Sequence, residues 1–427
     1  MEAIHVALAL LGGLLLAMNL ASGLLTRRVS VLSQPLLATA VGVVVGPAGL
    51  GWLTLSTWGD PISILETVAR LTVGFAVVGI ALRLPLEYLL DHVRALGIVL
   101  VPGMILMWLV SAGLAFALLD VSPATALLLG AIVTPTDPVI ANTIVSGSLA
   151  EADIPERLRR LLSAEAGAND GLAYPFVFLA IFVLSHPLEG ALTTWLVRAV
   201  AVGLGGAVVL GLAIGTAVGF LERRAGRRDL IDEPSLLTVT VALTATVLGI
   251  GALAGTSDVL AAFVAGLAYN DLADPRDEAL EVEVQEAIKR LLTIPAFVLF
   301  GTALPWSEWW ALGWAGPALA AAVLALRRPP AWLVLERVVG PLHGRRDALF
   351  AGWFGPIGVA ALLYATVSVR ETGSELGWIV ASLVIAASIV AHGATATPLT
   401  RRFGDGDAES NGGRDIALES TVEGDDS

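Results

Sequence analysis

Long apolar runs recur along this sequence and restrict its possible folds more than any other feature. A run of 18 or more residues with few charges is long enough to cross the bilayer core as a helix. Hydrophobic residues make up 56% of the 427 residues and charged residues only 15%, whereas soluble domains average about 45–50% and about 25%. The pattern therefore predicts an all-α, polytopic membrane protein.

About thirteen membrane spans are predicted. In chain order they are 4–25, 33–54, 61–82, 95–119, 123–146, 158–185, 192–221, 235–254, 256–270, 291–306, 314–336, 347–369 and 376–399. The first run has an acidic flank before it and a basic flank after it, the reverse of a signal peptide, so we expect it to be retained. Arginines cluster in every second loop, and Arg370 is an exception. By the positive-inside rule the amino terminus lies outside the cell membrane and the carboxyl terminus in the cytoplasm.

Two acidic segments lie outside the spans and hold much of the formal net charge of −13. Residues 271–290 are helix-prone, and we expect either an amphipathic helix at the cytoplasmic face or a solvated linker. Residues 403–427 are rich in Gly, Asp, Glu and Ser with little apolar content, which predicts a disordered tail.

Several kinds of chemistry are excluded by the residues that the sequence lacks. There is no cysteine, so there are no disulfides or thiolate metal ligands, and the five histidines have no metal-like spacing. No glycine-rich phosphate loop follows a strand-like run, which argues against ATP-driven transport. We therefore expect no resident cofactor, no enzymatic activity and no nucleic-acid partner.

A faint internal repeat indicates how the spans are organised. Residues 33–42 can be laid over residues 257–266 by matching small residues and Leu. The same offset brings Thr134–Pro138 next to Gly355–Gly358, and both segments interrupt apolar runs with Pro or Gly. Interrupted spans at corresponding positions of two repeats are typical of transporters.

The predicted organisation is a transmembrane domain, 1–402, made of two six-span repeats at about 1–186 and 235–400. They are joined by one linking span at about 192–221. An odd linking span inverts the second repeat relative to the first, so spans 5 and 12 become a pair of discontinuous, crossing helices.

The interruptions in spans 5 and 12 are candidate ion-binding elements. Pro135 and Pro138 lack a backbone N–H and crowd the preceding turn, so the helix should open between them, and Gly355-Pro356 should open span 12 likewise. The carbonyls freed in such a break can bind a cation, and the half-helix ends carry partial charges. A proline kink without a binding role is the alternative, and it is strongest for Gly355-Pro356.

Span 6 places three polar residues on little more than one helical turn. Glu165 and Asn169 share a helix face, and Asp170 lies about 100° further round. A dry cavity disfavours an ionised carboxyl group, so a proton and a cation would compete for Asp170. Together with Thr136 and Asp137 it forms a candidate cation and proton site. A buried polar cluster that only ties helices together is the alternative.

Other polar residues in the spans have simpler explanations. Arg327 and Arg328 lie among apolar residues, where a buried arginine needs a carboxylate, and Glu165 is the natural partner; either arginine could pair with it, or both could extend to a membrane edge. Glu66 and Arg70, four residues apart, form an intrahelical pair. Asp258 would cap span 9, and Gly211, Gly215 and Gly219 indicate close helix packing.

The combined motifs resemble the sodium/proton antiporters of the NhaP/NHE type. They are Thr-Asp-Pro at 136–138, Glu-(x)3-Asn-Asp at 165–170, a late arginine, and Phe-Gly-Pro at 354–356. The resemblance covers about residues 5–400 and implies a thirteen-span inverted-repeat fold, a homodimer and a mobile core domain. It also implies that Asp170 carries ion and proton, that Asn169 supports it, that Thr136 and the Asp137 region supply oxygens, and that Glu165 pairs with Arg328.

Two positions depart from the family pattern. Ala166 stands where relatives often have a hydroxyl residue, so one ion ligand is missing or replaced by water, which leaves the preference for Na⁺ over K⁺ or Li⁺ open. Ile357 stands where many relatives have Arg, so the electrostatics of the second break must differ. A single carboxylate in the Asn-Asp pair implies, by the same resemblance, electroneutral exchange, although Asp137 or Asp258 could also titrate.

The sequence thus predicts an antiporter that exchanges Na⁺, or K⁺ or Li⁺, for H⁺ by alternating access. A proton- or sodium-coupled symporter of a small organic solute is the alternative, and it requires a roomy polar cavity. An intramembrane hydrolase would need Ser with His or a Gly-x-Gly-Asp setting in a span, and a channel would need a repeated carbonyl filter; neither pattern is evident.

Overall fold

The computed structural model describes residues 5–6, 8–17, 20, 33–145, 147–226, 236–272 and 278–422. Within these ranges the regular elements are helices and no strand occurs. The prediction of an all-α protein is therefore confirmed for the described part of the chain.

The helices are numbered here in chain order. They are α1 (Leu8–Ala17), α2 (Gln34–Val45), α3 (Pro61–Ala81), α4 (Leu86–Asp91), α5 (Val93–Leu118), α6 (Pro123–Ile132), α7 (Pro138–Val145), α8 (Ser148–Asp153), α9 (Glu156–Leu172), α10 (Tyr174–Ser185), α11 (Leu188–Ala225), α12 (Leu236–Leu253), α13 (Asp258–Asn270), α14 (Glu278–Thr302), α15 (Trp306–Ala311), α16 (Ala315–Leu326), α17 (Pro329–Leu335), α18 (Arg345–Trp353), α19 (Val359–Thr372) and α20 (Leu376–Val422). Leu55–Thr57 forms a short 3₁₀ turn.

Six helical stretches of the described chain are long and apolar enough to cross a membrane. They are α3, α5, α9 continued by α10, α11, α16 continued by α17, and the first part of α20. Shorter apolar helices overlap several of the remaining predicted spans. This pattern is that of a polytopic membrane protein.

Local sequence signals explain where several helices begin. Asp60 precedes Pro61 at the start of α3, and its carboxylate accepts the Ser63 N–H at 2.8 Å. Ser122 precedes Pro123 at the start of α6 and accepts the Thr125 N–H at 3.1 Å. Proline suits the first helical position because its missing N–H would have no intrahelical partner there.

Helix α13 lies at the centre of one packing group, against α3, α9, α11 and α12. Gly211 and Gly215 bring α11 onto it, because a Cβ at Gly211 would lie 2.5 Å from the Ala261 carbonyl oxygen and a Cβ at Gly215 would collide with the Ala265 backbone. The prediction of close packing at these glycines is confirmed.

Of the two acidic segments, the first is helical in its described part, which is one of its two predicted forms, and the second differs from its prediction. Residues 278–290 are the start of α14 and continue directly into its apolar part, so this portion of 271–290 is helical. Helix α20 continues past residue 402 to Val422, where disorder is predicted. A helix propagates at less cost than it nucleates, and the apolar part of α20 supplies the nucleus. Residues 423–427 lie outside the described residues.

We expect Gly215→Ala to lower the thermal unfolding midpoint of the detergent-solubilised protein by at least about 2 °C, which corresponds to roughly 2 kcal/mol in a chain of this size. The added methyl group would meet the Ala265 backbone, which cannot move alone. Gly113→Ala in α5 is the control, because its Cβ has no atom within 4 Å and Ala favours the helix. Equal midpoints for the two variants would contradict close packing of α11 on α13.

Candidate ion-binding site

The first helix break lies between α6 and α7, over residues 133–137. Pro135 stands inside it and Pro138 begins α7. These prolines cannot donate intrahelical hydrogen bonds, which agrees with the predicted opening of span 5. Within the break, Thr134, Thr136 and Asp137 are at most 1% exposed, so their polar groups need partners in the protein or in a ligand.

The second break lies between α18 and α19, over residues 354–358, and includes Gly355 and Pro356. It contacts the first break directly, because the Asp137 N–H donates to the Pro356 carbonyl at 2.8 Å. The two interrupted helices therefore meet at their breaks, as the sequence predicts for spans 5 and 12.

Arg327 binds the carbonyl groups at the C-terminal side of both α6 and α18. Its guanidinium donates to the carbonyls of Val133, Thr134 and Pro135 at 2.5, 2.7 and 3.2 Å. It also donates to the Gly355 carbonyl at 2.5 Å. Helix C-terminal ends carry partial negative charge, so a buried arginine offsets two of them at once.

Asp137 makes the opposite contact, with the N-terminal ends of α7 and α19. Its Oδ1 accepts the Val139 N–H at 2.6 Å and lies 3.4 Å from the Ile140 N. Its Oδ2 accepts the Val359 N–H at 2.5 Å. A Cβ at position 358 would collide with this carboxylate, so Gly358 allows the approach. Asp137 is thus a helix cap; its contact with a cation stays a prediction.

Glu165 forms a two-point ion pair with Arg328, at 2.6 Å from Nη1 to Oε1 and 3.1 Å from Nη2 to Oε2. Glu165, Arg327 and Arg328 are each at most 2% exposed. Neither arginine therefore extends to a membrane edge. Arg328 also donates to the Ala351 carbonyl at 3.0 Å. Of the two arginines that the sequence leaves open as partners, Arg328 is the one that contacts Glu165.

Asn169 connects this ion pair to the first break. Its Nδ2 donates to Glu165 Oε1 at 2.8 Å and to the Thr136 hydroxyl at 2.5 Å. Its Oδ1 accepts the Thr136 N–H at 3.2 Å. These contacts hold α9 against the break and aim the Thr136 hydroxyl into the buried region.

Asp170 is fully buried, and neither carboxylate oxygen has a hydrogen-bond partner among the described residues. Its backbone carbonyl accepts the Tyr364 hydroxyl at 2.5 Å, which places it beside α19. Asp137 and Glu165 are its acidic neighbours. A buried carboxylate without a partner is costly, so this position calls for a proton or a cation.

A cavity of about 800 Å³ approaches the site from the end of the protein that carries Arg370. Tyr364 lines it, together with Asp258 and Arg70. At its rim Arg70 pairs with Glu66 and with Asp258, and Arg370 also pairs with Glu66. The pair predicted within α3 is therefore part of a network that connects α3, α13 and α19.

Some residues of this arrangement were not predicted from the sequence. Tyr364 contacts Asp170, Ser388 contacts the second break, and His392 contacts Trp353 at the end of α18. The available signal was a polar pair four residues apart, Ser388 and His392, in an otherwise apolar span. That spacing places them on one helix face.

A family model described as sodium/hydrogen exchanger, transmembrane, matches residues 8–402. The chain belongs to the sodium/hydrogen exchanger family. This agrees with the resemblance seen in the motifs at 136–138, 165–170 and 354–356, and it makes the chain a member of a family of transporters.

Curated relatives of this exchanger-family chain include Na(+)/H(+) antiporter 2 of Zygosaccharomyces rouxii. It is 34% identical over 361 residues, which are 81% of this chain and 44% of that protein. A Na(+)/H(+) antiporter of Schizosaccharomyces pombe is 30% identical over 420 residues, 92% of this chain and 89% of that protein. The chain spans less than half the length of several of the curated relatives that it matches.

The family fold is also seen in a solved structure. The sodium proton antiporter MjNhaP1 from Methanocaldococcus jannaschii superposes with a TM-score of 0.70, covering 95% of this chain and 99% of that one. The sequence identity is 18%, so the similarity shows the fold alone.

We expect Glu165→Leu to destabilise this exchanger-family chain by about 3–5 kcal/mol, because it leaves the Arg328 charge buried without its partner. The double variant Glu165→Leu/Arg328→Met should regain most of the loss. The measurement is the unfolding midpoint in detergent.

Glu156→Gln is the control for this substitution. Glu156 also pairs with an arginine four residues on in α9, but that pair is exposed, so its loss should change stability by less than about 1 kcal/mol. A double variant that unfolds as easily as Glu165→Leu would contradict the role of the unpaired charge.

Proposed function

We propose that this protein is a secondary active antiporter that exchanges Na⁺ for H⁺ across the cell membrane, with Asp170 binding cation and proton in competition. The observation that carries the proposal is the buried Asp170 carboxylate, which has no hydrogen-bond partner in the described part of the chain. Relatives that match much of the chain are named Na(+)/H(+) antiporters, which supports the same function.

Competition at one carboxylate is sufficient for exchange. Asp170 can neutralise its charge by binding a proton or a cation, but a bound proton removes the charge that attracts the cation. Thr136 is the nearby hydroxyl ligand that we propose for Na⁺, since Asn169 holds its side chain and donates to it. Both carboxylate oxygens of Asp137 already accept backbone N–H groups, so Asp137 would bind Na⁺ only through the lone pairs that remain.

The exchange is proposed to be one cation for one proton, without net charge movement. Glu165 is paired with Arg328 and Asp258 with Arg70, while Asp137 accepts backbone N–H groups of two helices. Each of these carboxylates accepts hydrogen bonds from the protein, whereas none reaches the Asp170 carboxylate from the described residues. One titrating group per site gives an electroneutral cycle.

The finer architecture belongs to the same proposal. It comprises thirteen spans, two inverted six-span repeats, the amino terminus outside and the carboxyl terminus in the cytoplasm, and a homodimer. The contact between the two breaks supports the repeat, because corresponding helices make the same contacts. Arg327 binds carbonyls that follow both α6 and α18, and Asp137 accepts N–H groups of both α7 and α19. Arg370, the exception to the positive-inside pattern, pairs with Glu66 and Glu371, so its charge is offset.

Alternating access requires that the Asp170 site open to one side of the membrane at a time. We propose that the ion pair between Arg370 of α19 and Glu66 of α3 separates and re-forms during this cycle. It connects the helix that follows the second break to a helix without a break, so it would lie between a moving and a fixed part.

The symporter alternative lacks support. The relatives are named as antiporters. The cavity of about 800 Å³ is roomy, but three of its charged groups, Arg70, Asp258 and Arg370, are already paired. It offers an organic solute few free polar groups.

We expect Asp170→Asn to abolish exchange, because an amide cannot exchange a proton for a cation, while the fold is kept. The assay is proton movement reported by a pH-sensitive dye in proteoliposomes, with Na⁺, K⁺ and Li⁺ added in turn. The exposed Asp120→Asn is the control and should exchange at the wild-type rate. Exchange by a folded Asp170→Asn variant would refute the assignment.

The same proteoliposomes test competition and stoichiometry. Where Asp170 is largely protonated, the apparent KM for Na⁺ should rise about tenfold for each unit by which the pH falls, as mass action requires for competing ligands. An imposed voltage should leave the rate unchanged. A rate that follows the voltage would exclude one-for-one exchange.

We further expect that a thiol cross-linker between Glu66→Cys and Arg370→Cys will block exchange and that reductant cleavage of the linker will restore it. The chain has no native cysteine, so only the introduced thiols react. The control pair is Ser63→Cys and Thr67→Cys, one turn apart on α3, where cross-linking should have no effect. Normal exchange by the cross-linked Glu66–Arg370 pair would show that these helices do not separate.

A further inference from the structure

Helix α20 contacts the second break through a polar face that the ion-binding site does not include. Ser388, His392 and Thr395 are four and then three residues apart, so they lie on one face of the helix. Ser388 is fully buried and His392 is 3% exposed. Burying polar residues in an apolar span costs free energy, so we expect contacts that offset this cost.

Each of these side chains contacts a residue of the break or of the α18 end. The Ile357 N–H donates to the Ser388 hydroxyl at 2.7 Å. His392 Nε2 lies 2.9 Å from the Trp353 carbonyl oxygen, and the Trp353 indole N–H donates to the Thr395 hydroxyl at 3.0 Å. Trp353 ends α18 and Ile357 lies four residues on, so the contacts reach both sides of Gly355-Pro356.

The hydrogen bonds of Ser388 and His392 form one continuous chain. With the proton on Nε2, the imidazole donates to the Trp353 carbonyl and its Nδ1 accepts the Ser388 hydroxyl proton at 3.1 Å. Ser388 in turn accepts the Ile357 N–H. Nδ1 also lies 3.0 Å from the Ser388 carbonyl, a contact that only a protonated Nδ1 could use as a donor. In the neutral Nε2–H form, each donor in this series of hydrogen bonds therefore has an acceptor.

We propose that Ser388 and His392 are positioning residues for ion exchange, which fix the second break in the shape that the Asp170 site requires. The proposal rests on the exchange function proposed above. The connection runs through backbone groups: Pro356 accepts the Asp137 N–H at 2.8 Å, and Val359 donates to the Asp137 carboxylate at 2.5 Å. Asp137 directly follows Thr136, and the Thr136 hydroxyl accepts a hydrogen bond from Asn169, the residue that precedes Asp170.

The first test compares Ser388→Ala with Ser382→Ala. Ser382 is an equally buried serine of α20. It accepts the Trp309 indole N–H at 3.1 Å and donates to the Ile379 carbonyl at 3.0 Å, and it has no hydrogen bond to either break among the described residues. Ser388→Ala should raise the apparent KM for Na⁺ about 3- to 10-fold, the equivalent of one lost hydrogen bond. Ser388→Thr should restore it to within about twofold.

His392→Leu should raise the apparent KM in the same direction, and the double variant with Ser388→Ala should be less than additive, because both act on one chain of hydrogen bonds. Ser382→Ala should leave the apparent KM unchanged even where it lowers the unfolding midpoint. Equal KM values for Ser388→Ala and Ser382→Ala would overturn the proposal.

A second measurement does not depend on exchange. Ile357→Cys keeps the backbone N–H and places the protein's single thiol in the break, where residue 357 is fully buried. Its rate of labelling by a maleimide should rise severalfold in the Ser388→Ala background but not in the Ser382→Ala background. Unchanged labelling would overturn the positioning role, whereas absence of exchange in the wild-type protein would refute only the proposed function.

Discussion

The structure depends on how backbone polar groups are satisfied where two helices are broken inside an apolar interior. An unsatisfied N–H or C=O at such a depth costs several kcal/mol. Arg327 binds the carbonyls at two C-terminal ends, and Asp137 binds the N–H groups at two N-terminal ends. Because each charge serves both breaks, the breaks are held together at one point.

The same arrangement leaves Asp170 as the carboxylate for the exchange that we propose. Four buried charges of the site balance in sign. Arg327 faces the negative ends of two helices and Asp137 the positive ends of two others, and Glu165 is paired with Arg328. Asp170 adds one negative charge that no described side chain offsets. The site therefore lacks one positive charge. Either one proton or one alkali cation would supply that charge, although the two differ in size and in the ligands that they need.

The sequence was sufficient for the elements that follow local rules. Prolines and glycines located both breaks, apolar runs located the helices, and a buried Glu with a buried Arg predicted the pair of Glu165 with one of two arginines. The sequence could not assign Asp137 as a cap of α19 or connect Arg370 to Glu66, since these contacts depend on how distant segments approach. It also missed the continuation of α20 past residue 402, where composition favoured disorder and helix propagation prevailed.

Position 357, where the resemblance to the family implies Arg, holds a buried Ile in this structure. An arginine there would have brought positive charge to the second break, but Ile357 is fully buried and contributes only its N–H, which Ser388 accepts. The positive charge instead comes from Arg327 and Arg328, which donate to the Gly355 and Ala351 carbonyls. Because both arginines are committed to carbonyls and to Glu165, this charge is fixed in place, and the side chain at position 357 needs only to fill space.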